Sequence, residues 1–351
     1  MVGSGLMLAS AMVLGASPAF ASPFDDGYVV LNGMNIEIEN DEAGISHARQ
    51  YLDPDNSSLG DTTAHFYGNL DFTDANSSTS SAECNDNTAV ATEEADGDIV
   101  VTCDSRPLNN DLSGLSVAPE YRFYNLELPG VVLSRMLYVV ENTTGSDITV
   151  SRMQSTFEWD AYSSDWQMRT SEGIVTQDSS LDDLDARWLS TVAFLDGSVD
   201  PSYSTFAAAW RASDKAVFSE FGNDVVSDDY VEVIARDVVI PAGATVYFAF
   251  FGIHGSPGIE ASTDEVNAFM TALDEFVTVF DEPFNADSLL AKGIPVGSSV
   301  LNWGDVTEAA APAAPVALAS TGPVGLAGGV TGAMVLVLAG AAIVLVRRRL
   351  A

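Results

Sequence analysis

Basic side chains and the usual residues of metal and redox chemistry are scarce in this chain. Lys215 and Lys292 are the only lysines, His47, His65 and His254 the only histidines, and Cys84 and Cys103 the only cysteines. No two histidines stand at metal-ligand spacing, so each reads as a surface or satisfied polar residue, and neither a metal site nor a cofactor is expected. Lys and Arg together number 14 against 50 Asp and Glu, a formal charge of -36. Such a surface repels phosphate backbones and anionic membranes, which argues against nucleic-acid binding. The acids are scattered between Asp25 and Glu308 rather than blocked, the pattern of a solvated folded surface.

Recognisable catalytic and calcium motifs are missing too. His254 to Gly258 reads HGSPG, but a hydrolase nucleophile elbow needs glycine where His254 stands. Asp53, Asp55 and Asn56 begin an acidic turn, yet Ser57 and Ser58 break the EF-hand pattern and Ala64 stands where its last glutamate belongs. Trp166, Trp188 and Trp210 could stack on sugars, although most aromatics of a β-sandwich are core. Asn56, Asn76 and Asn142 begin N-x-Ser/Thr sequons.

What is present is strand after strand. Asn32-Gly33 sits between alternating apolar residues, a strong hairpin signal. Tyr124, Leu126 and Leu128 alternate with polar residues up to Pro129-Gly130, and Val131 to Val140 follows. ENTTGSD, from Glu141, turns the chain again ahead of Ile148, Val150, Phe157 and Trp159. Val231 to Ile240 and Ala244 to Ile253, joined by Pro241-Ala242-Gly243, read as another strand pair, the second arm apolar on both faces as in the middle of a core. One helix interrupts them. Ser262 and Glu265 make a capping box, apolar residues recur at helical spacing from Val266 to Phe280, and Pro283 ends the run. The expected fold is mainly β: an antiparallel sandwich, or its supersandwich form, over residues 22–305 with one amphipathic helix. Any division into two lobes would fall near 105–115.

The two ends have a different character. Leu6 to Leu14 is a short apolar core, without Lys or Arg ahead of it, and Ala19-Phe20-Ala21 is a small-x-small site. That pattern predicts a signal peptide over 1–21, cleaved between Ala21 and Ser22. At the other end Val324 to Val346 carries no charge; at about 1.5 Å per residue a helix of that length spans roughly 34 Å, enough to cross a bilayer. Arg347, Arg348 and Arg349 follow as a cytoplasmic stop. Ahead of the run, 306–317 is an Ala/Pro-rich linker that would be extended and semi-rigid.

Leu318, Ala319, Ser320, Thr321 and Gly322, then the apolar run, then the arginines, resemble the sorting signal of Gram-positive cell-wall proteins. LASTG matches the L-A-x-T-G variant, which is similar to the signal read by class E sortases of high-GC Gram-positive bacteria. The resemblance implies that 318–351 is a sorting signal. A sortase would cleave between Thr321 and Gly322, and a peptidoglycan precursor would receive the acyl group. The order NTTGSDITV, TSEGIVTQD, DARW, VDPS and IPAGATV, within Asn142 to Gly255, loosely resembles secreted bacterial sandwich or supersandwich domains, some of them mutarotase-like, and implies no activity. In an exported chain Cys84 and Cys103 should form a disulfide closing a loop of about 20 residues, worth on the order of 3 kcal/mol. Asp96-Gly97 would turn a hairpin inside that loop and set Val90 opposite Cys103.

The functional expectation is a wall-anchored surface protein, held in the membrane by its C-terminal span before processing. Its ectodomain would be adhesive or ligand-binding, with a carbohydrate or protein partner. The alternatives are a wall-anchored carbohydrate-active enzyme, whose carboxylate pair would lie in a deep cleft, and a single-span membrane protein left unprocessed.

Overall fold

The computed structural model describes residues 28–31, 34–41, 44–51, 66–67, 70–82, 89–126, 130–158, 165–175, 185–195, 198–199, 205–221, 230–255 and 262–308. The first strands, Tyr28–Leu31 (β1), Met34–Asp41 (β2), Gly44–Tyr51 (β3) and Phe66–Tyr67 (β4), pair in that order as a small antiparallel sheet. Leu31 faces Met34 across a two-residue connection, the hairpin expected at Asn32-Gly33. Short strands follow: Leu70–Thr73 (β5), Thr79–Ala82 (β6), Val90–Glu93 (β7), Ile99–Thr102 (β8) and Arg106–Pro107 (β9). Leu115–Tyr124 (β10), Val131–Asn142 (β11) and Ile148–Glu158 (β12) are long. Then come Asp165–Thr170 (β13), Gly173–Val175 (β14), Trp188–Leu195 (β15), Ser198–Val199 (β16), Thr205–Ala209 (β17) and Glu220–Phe221 (β18). Tyr230–Ile240 (β19) and Thr245–Gly255 (β20) precede the helix Thr263–Phe276 (α1), and Ser299–Val300 (β21) and Gly304–Asp305 (β22) come last.

Two larger sheets form the sandwich. One has the order β14-β13-β15-β17-β20-β11-β10-β8-β7, with β9, β16, β21 and β22 joined to its flanks. The other runs β18-β19-β12-β5-β6. Their facing sides make a single core in which Val132, Met136, Tyr138, Phe248 and Phe250 of the larger sheet meet Phe72, Val150, Met153, Phe157 and Val233 of the smaller. The strand periodicity is therefore real, but it does not reveal which sheet a strand joins. β19 and β20 were expected to pair with each other; instead β19 pairs with β12, and β20 with β11 and β17. Both connections, 143–147 and 241–244, cross between the sheets side by side. Gly243 donates its amide to the Thr144 carbonyl at 3.1 Å, Ala242 donates to Asp147 Oδ1 at 2.9 Å, and Asn142 donates to the Ala244 carbonyl at 2.9 Å.

A third layer covers the outer side of the larger sheet. Ala249, Phe251 and Ile253 of β20, with Leu133 and Leu137 of β11, pack against Leu273, Val277, Phe280, Leu290, Val300 and Trp303. This is why β20 is apolar on both faces. Helix α1 begins as its sequence requires: the Ser262 side chain accepts from the Glu265 amide and the Glu265 carboxylate accepts from the Ser262 amide, so two otherwise orphaned donors are satisfied. The last expected turn, Val277–Asp281, tightens to a 3-10 helix before Pro283. Among the described residues no helix is long and apolar enough to cross a membrane, and the expected span 324–346 lies outside them.

The Asp96-Gly97 hairpin forms with a register one residue off expectation: Val90 faces Thr102, not Cys103. Glu94 accepts from the Gly97 amide and donates to the Asp98 carbonyl, and Gly97 takes φ +86, so the turn carries one extra left-handed residue. Cys103 is not a free thiol; Cys84 lies outside the described residues, and its pairing with Cys103 stays a proposal.

Candidate functional site

Most of the side chains expected from sequence to act lie outside the described residues: Ala21, Ser22, the whole LASTG motif, Arg347 to Arg349, His65, and Asp53, Asp55 and Asn56. His47 and His254 fall on β3 and β20, with only their backbones described. Asn142 is fully buried, donating from Nδ2 to the Ser146 and Ile240 carbonyls at 2.8 and 2.9 Å, so this sequon side chain is committed inside the fold. The tryptophans divide. Trp210 is fully buried against Phe157, Trp188 lines a surface groove, and for Trp166 only the backbone on β13 is described.

That groove has a volume of about 390 Å³ and opens on the outer face of the larger sheet. Its floor follows from strand register. Ile174 on β14 faces Arg169 on β13, which faces Ser190 on β15; Trp188 is two residues along β15 on the same side. The far wall is the 3-10 turn, through Val277, Thr278 and Asp281. Arg187 ties that wall to the sheet, donating from Nε to Asp281 Oδ1 at 3.0 Å and from Nη2 to the same oxygen at 2.5 Å. The β13–β14 turn is fixed by its own side chains. Thr170 Oγ1 donates to the Gly173 carbonyl at 3.0 Å and accepts from the Glu172 amide at 3.1 Å, while Ser171 Oγ accepts from the Arg187 amide at 3.0 Å. Gly173 sits at φ +135, a conformation that side-chain-bearing residues rarely adopt. Only Trp188 of these residues stood out in the sequence. The TSEGIVTQD turn and the DARW run were visible in the chain, but nothing local joins them to Asp281.

A second polar constellation lies at the β7–β8 turn. Lys292 Nζ reaches Asp96 Oδ2 at 2.5 Å and Asp98 Oδ2 at 2.6 Å, and Arg122 binds both Glu94 oxygens at 2.8 and 3.0 Å and Asp98 Oδ2 at 3.0 Å. Glu94, Asp96 and Asp98 converge closely enough to surround a cation. Two cationic side chains already fill that role, so the cluster works as a strap from the C-terminal segment to the hairpin. Gly293 beside it has φ +78, and a Cβ there would come within 2.7 Å of Arg122 Nη2. Lys215, the other lysine, lies 3.6 Å from Asp214.

The strap makes stability depend on pH at both ends. The hydrogen bonds from Arg122 hold the Glu94 carboxyl below its usual range, and the bond from Lys292 does the same for Asp96. Burial disfavours the Lys292 ammonium, but the bonds to Asp96 and Asp98 outweigh it and raise its pKa. Depressed carboxylates stabilise the fold above their ordinary range near pH 4 and lose that contribution as pH falls through their lower folded values. The raised lysine stabilises below its ordinary value and loses that contribution as pH climbs through the higher folded one. Asp71 opposes the acid limb, because burial raises its pKa and protonation then favours the folded state. Urea midpoints should therefore be level between about pH 6 and 9 and fall on either side. The Tyr124 and Tyr138 hydroxyls add to the alkaline fall, because burial raises their pKa and ionisation then favours the unfolded chain. Lys292→Met should therefore lessen the alkaline fall without abolishing it; an unchanged alkaline limb would show that the lysine contributes nothing to it.

No family model matches the chain, and no curated protein matches it significantly. Among solved structures it is similar to a galactose mutarotase-like protein from Lactobacillus casei, with a TM-score of 0.38 and 10% identity over 65% of this chain and 100% of that one. A galactose mutarotase related enzyme from Lactobacillus acidophilus gives 0.38 and 10% over 67% and 99%. A galactose mutarotase-like protein from Clostridium acetobutylicum gives 0.31 and 9% over 65% and 93%. Scores this low carry no site or activity to this chain.

Proposed function

We propose that the protein is an exported surface protein, joined to peptidoglycan by a class E-like sortase at Thr321, with a β-rich ectodomain that binds an extracellular ligand. The order of motif, apolar run and arginine stop carries the anchoring half of this reading. The run would hold the chain in the membrane while a sortase cysteine attacks the Thr321 carbonyl and releases Gly322 as the new amine; a cell-wall amine then takes the acyl group. Binding is favoured over glycoside hydrolysis by the groove's lining. A glycosidase generally sets two carboxylates about a bound ring, whereas among the described residues lining this groove Asp281 is the one carboxylate, and it is paired with Arg187.

Cell fractionation tests the proposal. Wild-type protein should be released by wall digestion, ending at Thr321, carrying a peptidoglycan fragment and lacking the apolar tail. Thr321→Ala should stay full length and come out with membranes. Recovery of wild-type protein only in detergent, with Arg347 to Arg349 still attached, would leave a single-span membrane protein instead.

A further inference from the structure

Resting on the ligand-binding reading above, we infer that the groove of Arg169, Ile174, Trp188 and Asp281 is a binding site for a neutral saccharide unit. Its chemistry is two-sided. Ile174 is 63% exposed, a large aliphatic side chain left facing solvent beside the half-buried Trp188 indole. Together they offer an apolar platform. Around it stand the Arg169 guanidinium, the Asp281 carboxylate and the hydroxyls of Ser190 and Thr278. A pyranose ring has the matching two-sidedness, with C–H bonds on its faces and hydroxyls around its edge. A purely apolar ligand would strip water from the half-exposed Asp281 carboxylate without replacing it, which is costly. The volume, about 390 Å³, lies within the usual range for small-molecule sites.

Charge narrows the class further. The chain as a whole carries -36, so an anionic ligand meets long-range repulsion on approach. Within the groove Asp281 is already held by Arg187, so among the described lining residues no carboxylate is left to select a cation. A neutral polyhydroxylated ligand faces neither difficulty. The site is also held in shape before any ligand arrives. Its floor lies on three hydrogen-bonded strands, its rim is fixed by Thr170 and Ser171, and its wall is tied down by the Arg187–Asp281 pair. Little ordering remains to be done on binding.

The test uses full-length protein in a zwitterionic, sugar-free detergent, with maltose, cellobiose and lactose as neutral probes and glucuronate as the anionic one. Saturation-transfer NMR should show transfer to the ring C–H protons of at least one neutral probe at millimolar concentration, and weaker transfer to glucuronate. Ile174→Glu should weaken that binding about tenfold with an unchanged melting curve, since the residue is largely exposed. Trp188→Ala should abolish it, and Trp188→Phe should restore part of it. The inference is overturned if no neutral probe receives transfer, if glucuronate binds more tightly, or if Ile174→Glu binds like wild type. Wall-displayed protein that still adheres to a protein ligand while failing here would overturn the saccharide assignment and leave the broader binding reading standing.

Discussion

Arg135→Ala should destabilise the protein by about 3–5 kcal/mol, the usual cost of breaking a buried ionic network from one side. Arg135 is fully buried on β11, in the outward row between Leu133 and Leu137. Its guanidinium donates to the Lys292 carbonyl at 2.6 Å, the Leu290 carbonyl at 3.2 Å and the Glu120 carboxylate at 2.7 Å. Truncation strands all three acceptors beneath the C-terminal segment. One term runs the other way: Arg135 faces Arg122 directly across β10 and β11, so the change also relieves a like-charge contact. That contact is already answered by Glu120 on one side and Glu94 and Asp98 on the other, so the relief is small. Arg135→Lys should recover only part of the loss, because one ammonium cannot reproduce the planar fork that spans three acceptors. Urea denaturation gives the magnitude, and hydrogen exchange should show residues 288–306 opening first. A loss below about 1 kcal/mol would place Arg135 among ordinary surface pairs.

Trp303→Ala should cost a similar amount, about 3–5 kcal/mol, by a different route. The indole is 4% exposed, meets Phe251 edge-on at 4.9 Å, stacks on Phe284 at 5.8 Å and donates from Nε1 to the Ala249 carbonyl at 2.7 Å. Its loss leaves a cavity between the sheet and the segment above it. The neighbouring Asn302 limits collapse into that cavity, because its side chain is pinned to the Ala249 amide and carbonyl and to the Trp210 carbonyl. Trp303→Phe keeps the ring contacts without the donor and should cost clearly less. Equal losses for the two substitutions would mean that packing is not what the indole supplies.

How much of this was legible in the sequence depends on how local the cause is. Helix α1 was readable because its cap, its apolar spacing and Pro283 all lie within one stretch of chain. β20 was readable as central because burial on both faces leaves an unbroken apolar run. The separation of β19 from β20 was not, since Pro241-Ala242-Gly243 can close a hairpin or cross between sheets, and the choice lies in the adjacent crossing around Asn142. Nor was the rest of the third layer, beyond the helix, foreseen, because the segment after Pro283 is short turns with little periodicity. The groove lay furthest out of reach: Arg187 and Asp281 are 94 residues apart, and strand register alone sets Ile174, Arg169 and Ser190 in one row.

The last described residues also fix a line of mechanical tension. Thr307 bridges Asn285, Val306 donates to the Ser298 carbonyl, and β21 lies alongside β20 in the larger sheet. On the proposed attachment, a tug from the wall enters the fold at Glu308 and travels along this short segment. It reaches the larger sheet through Asn302, Trp303 and the carbonyls gripped by Arg135. Among the described residues the smaller sheet shares no strand pairing with the segment and lies off that line. The groove's wall, by contrast, is the 3-10 turn just ahead of Asn285. On the two proposals together, tether and groove share one layer, since Asn285, bridged to Thr307, follows closely on Asp281, and strain at the tether would be delivered toward the groove rather than across the sandwich.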